Sequence, residues 1–441
     1  MRKAVFLLLL TSFCLSSSSY AMLPWLQRIG LWRQQLEQQN TSDLQCQKKP
    51  NVKPIKIKKR KRSEDNNDDD HDFVKRPRII KAKVNFFQDI TGVSEAVFRQ
   101  NPRQYFQQLG KNHYALRNAQ AGKDWDTGIF AVDTIAQLEA MIDEELVADI
   151  KTAGRFNVVV GFNTPNLSAE NRRRLDVAAL QADPNHNHAV FQVASNFDCR
   201  EGQGGDVAAY AGSRAQGQTA AVSAAPGTIA RIYAHGPIDL LEEVEELPAF
   251  GPRGLDLSQL SQADLLKAVN FDYDNMGIGI QQDTEVAFGF VQGNIHEECT
   301  AEDQRITQIY TSAVNLGLNN PRRFTPGSYA RVEDIAKRVL VASYKGTILA
   351  AQVYGHQREG THAKVRQEVF LTLMGCGVFG NEIDWVADAL RSCMRDIVRY
   401  GLDVTLIVFD VGANPSPAMR NSLAQLRQLV NQTSGQFEEI R

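Results

Sequence analysis

Asp283 and Glu285 stand two residues apart in Asn275-Met-Gly-Ile-Gly-Ile-Gln-Gln-Asp-Thr-Glu-Val286. On a strand, residues i and i+2 share a face, so these carboxylates would stand side by side. Neighbouring carboxylates push their pKa values apart. One then carries a proton and the other a charge, which is the equipment of acid–base chemistry. Gly277 and Gly279 in the same segment permit close backbone approach. A solvated strand face would hold the same residues, and the pairs Asp272/Asp274 and Glu297/Glu298 pose the same choice.

A second group is Gly375-Cys376-Gly377-Val378-Phe379-Gly380-Asn381. It follows the apolar run Val369–Leu373 and precedes the helical pattern starting at Trp385. A strand, a glycine loop and a helix start together make an anion site: backbone N–H groups turn inward, and the helix dipole favours negative charge. Phe379 offers a face for stacking on adenine or ribose. No Gly-Lys-Ser/Thr follows, so the loop is not a Walker A motif, and it lacks the dinucleotide fingerprint as well. Glycines that serve only packing at a strand-to-helix junction are the plainer reading.

Asn196 closes the run Phe191-Gln-Val-Ala-Ser-Asn196, where a side-chain amide can read a ligand hydroxyl, position a water or cap a turn. Gly212-Ser-Arg-Ala-Gln-Gly-Gln-Thr219 offers amides and a hydroxyl ahead of an Ala-rich stretch, or an ordinary N-cap. His186 and His188 sit in a polar, loop-like context and suit a structural role rather than a metal. There is no GxSxG elbow and no CxxC pair, so neither a serine hydrolase nor a structural zinc site is expected.

The elements that must position these groups follow from periodicity. Strands are expected at 156–162, 188–195, within 276–290, and at 305–310, 369–373 and 404–409. Helices are expected at 134–150, 219–233 (interrupted or ended by Pro226-Gly227), 334–354 and 382–400. Residues 95–120 read as helix and loop, and 236–262 as a long acidic excursion. Short apolar strands alternating with helices predict a three-layer α/β/α sandwich on a central mixed sheet, spanning residues 84–410. Residues 411–441 read as a polar, partly helical tail.

The composition is that of a globular protein: 441 residues, 43% hydrophobic, net charge −2. That balance gives no reason to expect nucleic acid, and no internal run is long enough to span a bilayer. Residues 1–21 have the charged start, apolar stretch and Ser19-Tyr-Ala21 end of a signal peptide, which predicts secretion. An uncleaved N-terminal helix fits as well. Five widely spaced cysteines beyond that segment make a poor disulfide framework. Residues 22–83 combine an amphipathic start with a basic cluster at 53–62, an acidic block at 64–72 and Lys75-Arg-Pro-Arg78. Such like-charge blocks predict a disordered linker, and the two basic clusters also have the spacing of a bipartite nuclear-localisation signal.

The Phe191–Asn196 strand end, the Gly277–Glu285 segment and above all the Gly375–Asn381 loop resemble macrodomains of the poly(ADP-ribose)-glycohydrolase-like branch, including its Legionella effector members. The resemblance covers roughly residues 100–410. It implies a cleft for ADP-ribose at the strand carboxyl ends, with Gly375 to Asn381 around the diphosphate and distal ribose. It places Asn196 beside the reactive ribose, and Gly277, Gly279 and Gln282 on the ligand. It assigns Asp283 and Glu285 to the chemistry at C1″. The glycohydrolase signature is a Gly-Gly-Gly run followed by Gln-Glu-Glu; here it reads Gly277-Ile-Gly279 and Gln282-Asp-Thr-Glu285. The resemblance implies an ADP-ribosyl hydrolase without cofactor or metal. Its substrate would be an ADP-ribosylated protein, for an effector one of the host ubiquitin system. A non-catalytic ADP-ribose reader and a secreted scaffold are the alternatives.

Overall fold

The computed structural model describes residues 81–83, 86–148, 150, 152–163, 167–200, 223–292, 295–299, 301–355 and 366–441. The signal-like segment, both basic clusters and the 212–219 motif lie outside these residues. The described strands are β1 (Lys81–Lys83), β2 (Phe106–Gly110), β3 (His113–Arg117), β4 (Asp124–Thr134), β5 (Arg155–Asn163), β6 (Val190–Ala194), β7 (Phe250–Gly251), β8 (Gly254–Leu255), β9 (Gly277–Glu285), β10 (Phe288–Gln292), β11 (Ile295–Glu298), β12 (Arg305–Thr311), β13 (Glu368–Thr372), β14 (Asp403–Gly412) and β15 (Phe437–Ile440). The helices are α1 (Phe86–Thr91), α2 (Glu95–Phe98), α3 (Ile135–Ala140), α4 (Glu144–Ala148), α5 (Ala169–Arg173), α6 (Val177–Gln181), α7 (Ala225–Tyr233), α8 (Gln262–Ala268), α9 (Pro326–Tyr354), α10 (Ile383–Arg399) and α11 (Pro417–Val430).

Ten strands form one mixed sheet in the order β15-β5-β14-β13-β6-β12-β9-β4-β3-β2. From β15 to β12 every neighbour is parallel. From β12 to β2 every neighbour is antiparallel. The parallel half is built of continuous apolar runs because helices cover both of its faces. Val369 and Leu371 join the cluster under α9, α10 and α11, which also holds Val158, Leu340 and Leu390. Phe370, between them, turns to the other face with Leu180 of α6, Phe191 and Ile306. The α/β/α sandwich with a mixed sheet is therefore the architecture. No described helix is long and apolar enough to cross a membrane.

The structure departs from the expected elements in several places. The helix expected over 134–150 is two: α3, closed at its start by a Thr134/Gln137 capping box, and α4, preceded by Asp143, whose carboxylate accepts from the Glu145 N–H. Pro226 does not interrupt α7 but lies in its first turn, where a missing N–H costs nothing. Helix α9 starts at Pro326 behind a Thr325 cap, about two turns before the expected residue 334. The helix-and-loop stretch contains β2 and β3, which with the unforeseen β4 make an antiparallel meander. The last residues of the expected linker form β1, paired with β11. The expected tail is α11 and β15, and β15 is an edge strand of the main sheet.

Candidate functional site

The chain leaves β6 and β13 in opposite directions. From β13 it passes through α10 to β14 on one side; from β6 it passes toward β9 and β12 on the other. Between two such neighbouring parallel strands a crevice opens at the carboxyl ends, the place where α/β sheets bind ligands. The turn 195–200 after β6 and the loop 373–381 after β13 form its walls. The loop 312–319 after β12 and the β7–β8 hairpin join them.

Both walls are fixed from below. Buried Gln192 donates to Thr347 Oγ1 at 3.0 Å and accepts from the Thr372 N–H at 3.3 Å, tying β6 to α9 and to the end of β13. The hydroxyl of buried Tyr344 donates to the Thr372 carbonyl at 2.7 Å and accepts from the Met374 N–H at 3.0 Å. The glycine loop therefore leaves the sheet in a fixed direction. Asn381 is 4% exposed and donates through Nδ2 to the carbonyls of Val314 (2.8 Å) and Gly375 (3.3 Å). Gly375 needs its glycine: its φ is +73°, and a Cβ would stand 2.6 Å from that of Ala313 and 2.7 Å from Asn381 Nδ2. Gly377 and Val378 are exposed, and the N–H groups of Gly377, Val378 and Phe379 have no acceptor among the described residues. Successive N–H groups left without acceptors in a glycine loop can seat an anion. Burial pushes the thiol of Cys376 up to about 12, so it stays protonated and is no nucleophile.

Asn196 reaches the same crevice. Its Nδ2 donates to the Gly251 carbonyl at 3.0 Å, while its buried Oδ1 has no partner. The hairpin is pinned to the β12 loop by Asn315 Nδ2 on the Arg253 carbonyl (3.1 Å) and Asn319 Nδ2 on the Leu255 carbonyl (2.7 Å). That loop meets the glycine loop through the Leu316 N–H on the Phe379 carbonyl, at 2.8 Å. Asn196, the hairpin and Gly375–Asn381 are thus brought together.

The other expected site residues are not. Strand β9 runs antiparallel to β12, and Glu285 pairs with Arg305, the first residue of β12. Asp283 and Glu285 therefore lie at the amino ends of the parallel strands, a strand length of about 20 Å from the crevice at ~3.3 Å per residue. They are also engaged there. His188 Nδ1 is 2.8 Å from Asp283, and Lys123 Nζ is 3.0 Å from Glu285. Gln282 belongs to that half of β9 too, with Nε2 3.5 Å from the Tyr354 carbonyl. Gly277 and Gly279 do lie at the crevice end, but the chain itself fills the space beside them. Leu240 Cα and O would be 3.2 and 3.3 Å from a Cβ at Gly277, and Cys199 Sγ 2.4 Å from one at Gly279. They are packing glycines for the 236–247 segment and the Asn196 turn.

Asp198 is the carboxyl that the sequence reading passed over. It lies two residues beyond Asn196, with its side chain 28% exposed, and accepts from the Arg200 N–H at 3.1 Å. Burial pushes its pKa up, against the lowering effect of Arg200 and Arg231. Arg231 is 2% exposed, donates through Nε to the Cys199 carbonyl at 2.8 Å and lies 3.6 Å over the Tyr310 ring, supporting the turn from beneath. The signal was a lone charge inside Phe197-Asp-Cys199, an apolar setting that raises a carboxyl pKa.

The amino-end charges form a structural network. Asp126 meets His113 Nε2 at 2.7 Å and Arg305 Nη1 at 2.9 Å, and accepts from the Gly128 N–H at 2.9 Å. Burial would raise its pKa, but these three partners more than offset it, and the net shift is downward. A carboxyl depressed on folding contributes stability above its ordinary value of about 3.9 and loses it as pH falls through the folded value. Urea denaturation from neutral pH into that acid range is expected to show this loss. Asp126→Asn should be less stable near neutrality and show a flatter acid limb; an unchanged limb would remove Asp126 as its source. A cavity of about 270 Å³, lined by Arg155, Asn157, His186, Glu368 and Asp403 among others, also opens at the amino ends. Its charges are paired internally, Arg155 with Asp403 through two bonds and His186 with Glu368 at 3.1 Å. Among the described residues no group of His, Cys, Asp and Glu is arranged to hold a metal ion.

No protein-family model matches the chain, and no curated protein does. Solved structures with a distant likeness are bacterial poly(ADP-ribose) glycohydrolases. That of Thermomonospora curvata is 15% identical, covering 76% of this chain and 97% of that one, with a TM-score of 0.38. Its form bound to the inhibitor ADP-HPD covers 76% and 96% at 15% identity and a TM-score of 0.36. That of Deinococcus radiodurans in complex with ADP-ribose is 14% identical, covering 69% and 94%, with a TM-score of 0.35. At such identities and scores the likeness is remote, and the site rests on the chain's own geometry.

Proposed function

We propose that the crevice between β6 and β13 binds ADP-ribose and that the protein hydrolyses the bond between ADP-ribose and a modified protein. The observation that carries this reading is the run of N–H groups at Gly377, Val378 and Phe379 with no acceptor among the described residues, in the loop after β13, with Asn196 in the turn after the neighbouring strand β6. The loop suits a diphosphate, and the side-chain amide of Asn196, with one polar atom still without a partner, suits a ribose hydroxyl once it turns toward the crevice. Asp198, with its raised pKa, is suited to hold a proton and give it to the departing side chain. Water then adds to C1″ and returns a proton to the carboxylate, as in glycoside hydrolysis. A signal-led route out of the cell and a host protein as substrate belong to the same proposal, and sequencing the mature N-terminus tests the first of these. Calorimetry tests the ligand: ADP-ribose is expected to bind well below millimolar concentration. No heat of binding at millimolar ADP-ribose would sink both the hydrolase and the reader readings.

A further inference from the structure

The crevice loops are unevenly charged. Glu382 is exposed at the start of α10 and makes no capping bond; Asp384 stands in the first turn with a buried Oδ1 that has no partner. A diphosphate brought here meets helix dipole and N–H groups, but also this negative field, which opposes it. The loops 195–200, 250–255, 312–319 and 373–384 contain two basic residues, Arg200 and Arg253. Arg200 faces Asp198, its Nε 3.9 Å from Oδ2. Arg253, at the tip of the β7–β8 hairpin, is exposed and makes no ion pair among the described residues. Its carbonyl is held by Asn315, whose Oδ1 lies 3.1 Å from where a Gly317 Cβ would be; the Val378 carbonyl lies 3.9 Å from the same point. The next residue, Gly254, would bring a Cβ to 3.9 Å from Asn196 Oδ1. The hairpin carrying Arg253 is therefore held beside Asn196, and, through the 312–319 loop, beside the glycine loop.

We propose that Arg253 is the cation that neutralises the diphosphate in this crevice and makes it select a pyrophosphate-linked nucleotide over a neutral nucleoside. The proposal rests on the ADP-ribose reading above. A guanidinium offers paired donors to phosphate oxygens, and its charge would offset Glu382 and Asp384 when ligand arrives. The hairpin would then be a specificity element, pinned by Asn315 and Asn319 with Arg253 at its tip.

Titration calorimetry with ADP-ribose and with adenosine, on the full chain, tests it. Arg253→Ala is expected to weaken ADP-ribose by about 10- to 100-fold, the range of a charge-assisted bond to phosphate, and to leave adenosine unchanged. Arg253→Lys should recover part of the loss. ADP-ribose affinity unchanged in Arg253→Ala overturns the proposal. So does an equal loss for both ligands, which would make Arg253 a pin of the hairpin. Wild-type protein that binds no ADP-ribose instead fails the underlying site reading, and that control is run first.

Discussion

Asp198→Asn is expected to slow turnover of an ADP-ribosylated protein by ~10²- to 10⁴-fold, the range for losing a general acid, while ADP-ribose affinity stays close to wild type. The amide keeps the size of the carboxyl and can still meet the Arg200 N–H through its oxygen. What it cannot do is deliver a proton. The raised pKa of Asp198 matters because an ordinary aspartate would hold little proton near neutrality, whereas burial, here outweighing the opposing charges of Arg200 and Arg231, makes this one hold more. The sign is testable in the pH profile: a general acid is lost as pH rises, so the alkaline limb should report this group and be missing from the residual activity of the variant. Asp283→Ala and Glu285→Ala are the comparison. Both side chains lie at the far end of β9 in ion pairs with His188 and Lys123, so turnover should persist at whatever cost to stability. Full activity in Asp198→Asn, or its loss in both comparison variants, would place the chemistry elsewhere.

Gly375→Val is expected to weaken ADP-ribose by ~100-fold or more, about 2.7 kcal/mol. Two costs combine. A branched side chain at a φ of +73° is strained by roughly 1–2 kcal/mol. Its Cβ would also stand within 2.7 Å of both Ala313 Cβ and Asn381 Nδ2, where real contacts are not made. The loop must shift, and the free N–H groups of Gly377 to Phe379 shift with it. Gly236→Ala, at an exposed glycine outside the crevice loops, is the matched control. Nothing lies within 4 Å of a Cβ placed there, so its affinity should change little. Equal affinities for the two variants would show that the loop does not hold the ligand. A thermal melt separates this from unfolding, since the loop packs through Met374, Cys376 and Phe379 on the core that holds Val158, Leu340 and Leu390, and a variant that disrupts that core would melt early.

The long apolar strands and the helices that follow them were legible because their signals are local. Phe156 to Phe162 and Val404 to Phe409 are runs that only a buried strand explains, and the structure has β5 and β14 there. The edge meander was missed because its signal is weak: β2 reads Phe106-Gln-Gln-Leu-Gly110 and is largely exposed, so it buries too little to mark a strand. The breaks at Asp143 and Pro226 turn on capping and first-turn chemistry, which a hydrophobic pattern does not contain.

By itself the sequence determined the layered α/β class, the strand–glycine loop–helix junction at Gly375–Asn381 and the polar strand end at Asn196. Each depends on residues close together in the chain, where spacing fixes geometry. Only the tertiary structure decided which of these groups share a site. Asp283 and Glu285 lie on one strand as expected, with a positive φ at Asp283 and a register shift beside it, but β9 is antiparallel to β12, and that direction carries them to the end of the sheet away from the crevice. Asp198 takes its character from burial in a turn that Arg231 supports through the Cys199 carbonyl, and Arg253 its position from Asn315; both are contacts across tens of residues. Strand direction and register are settled by pairing between distant segments, and nothing local to a strand records them.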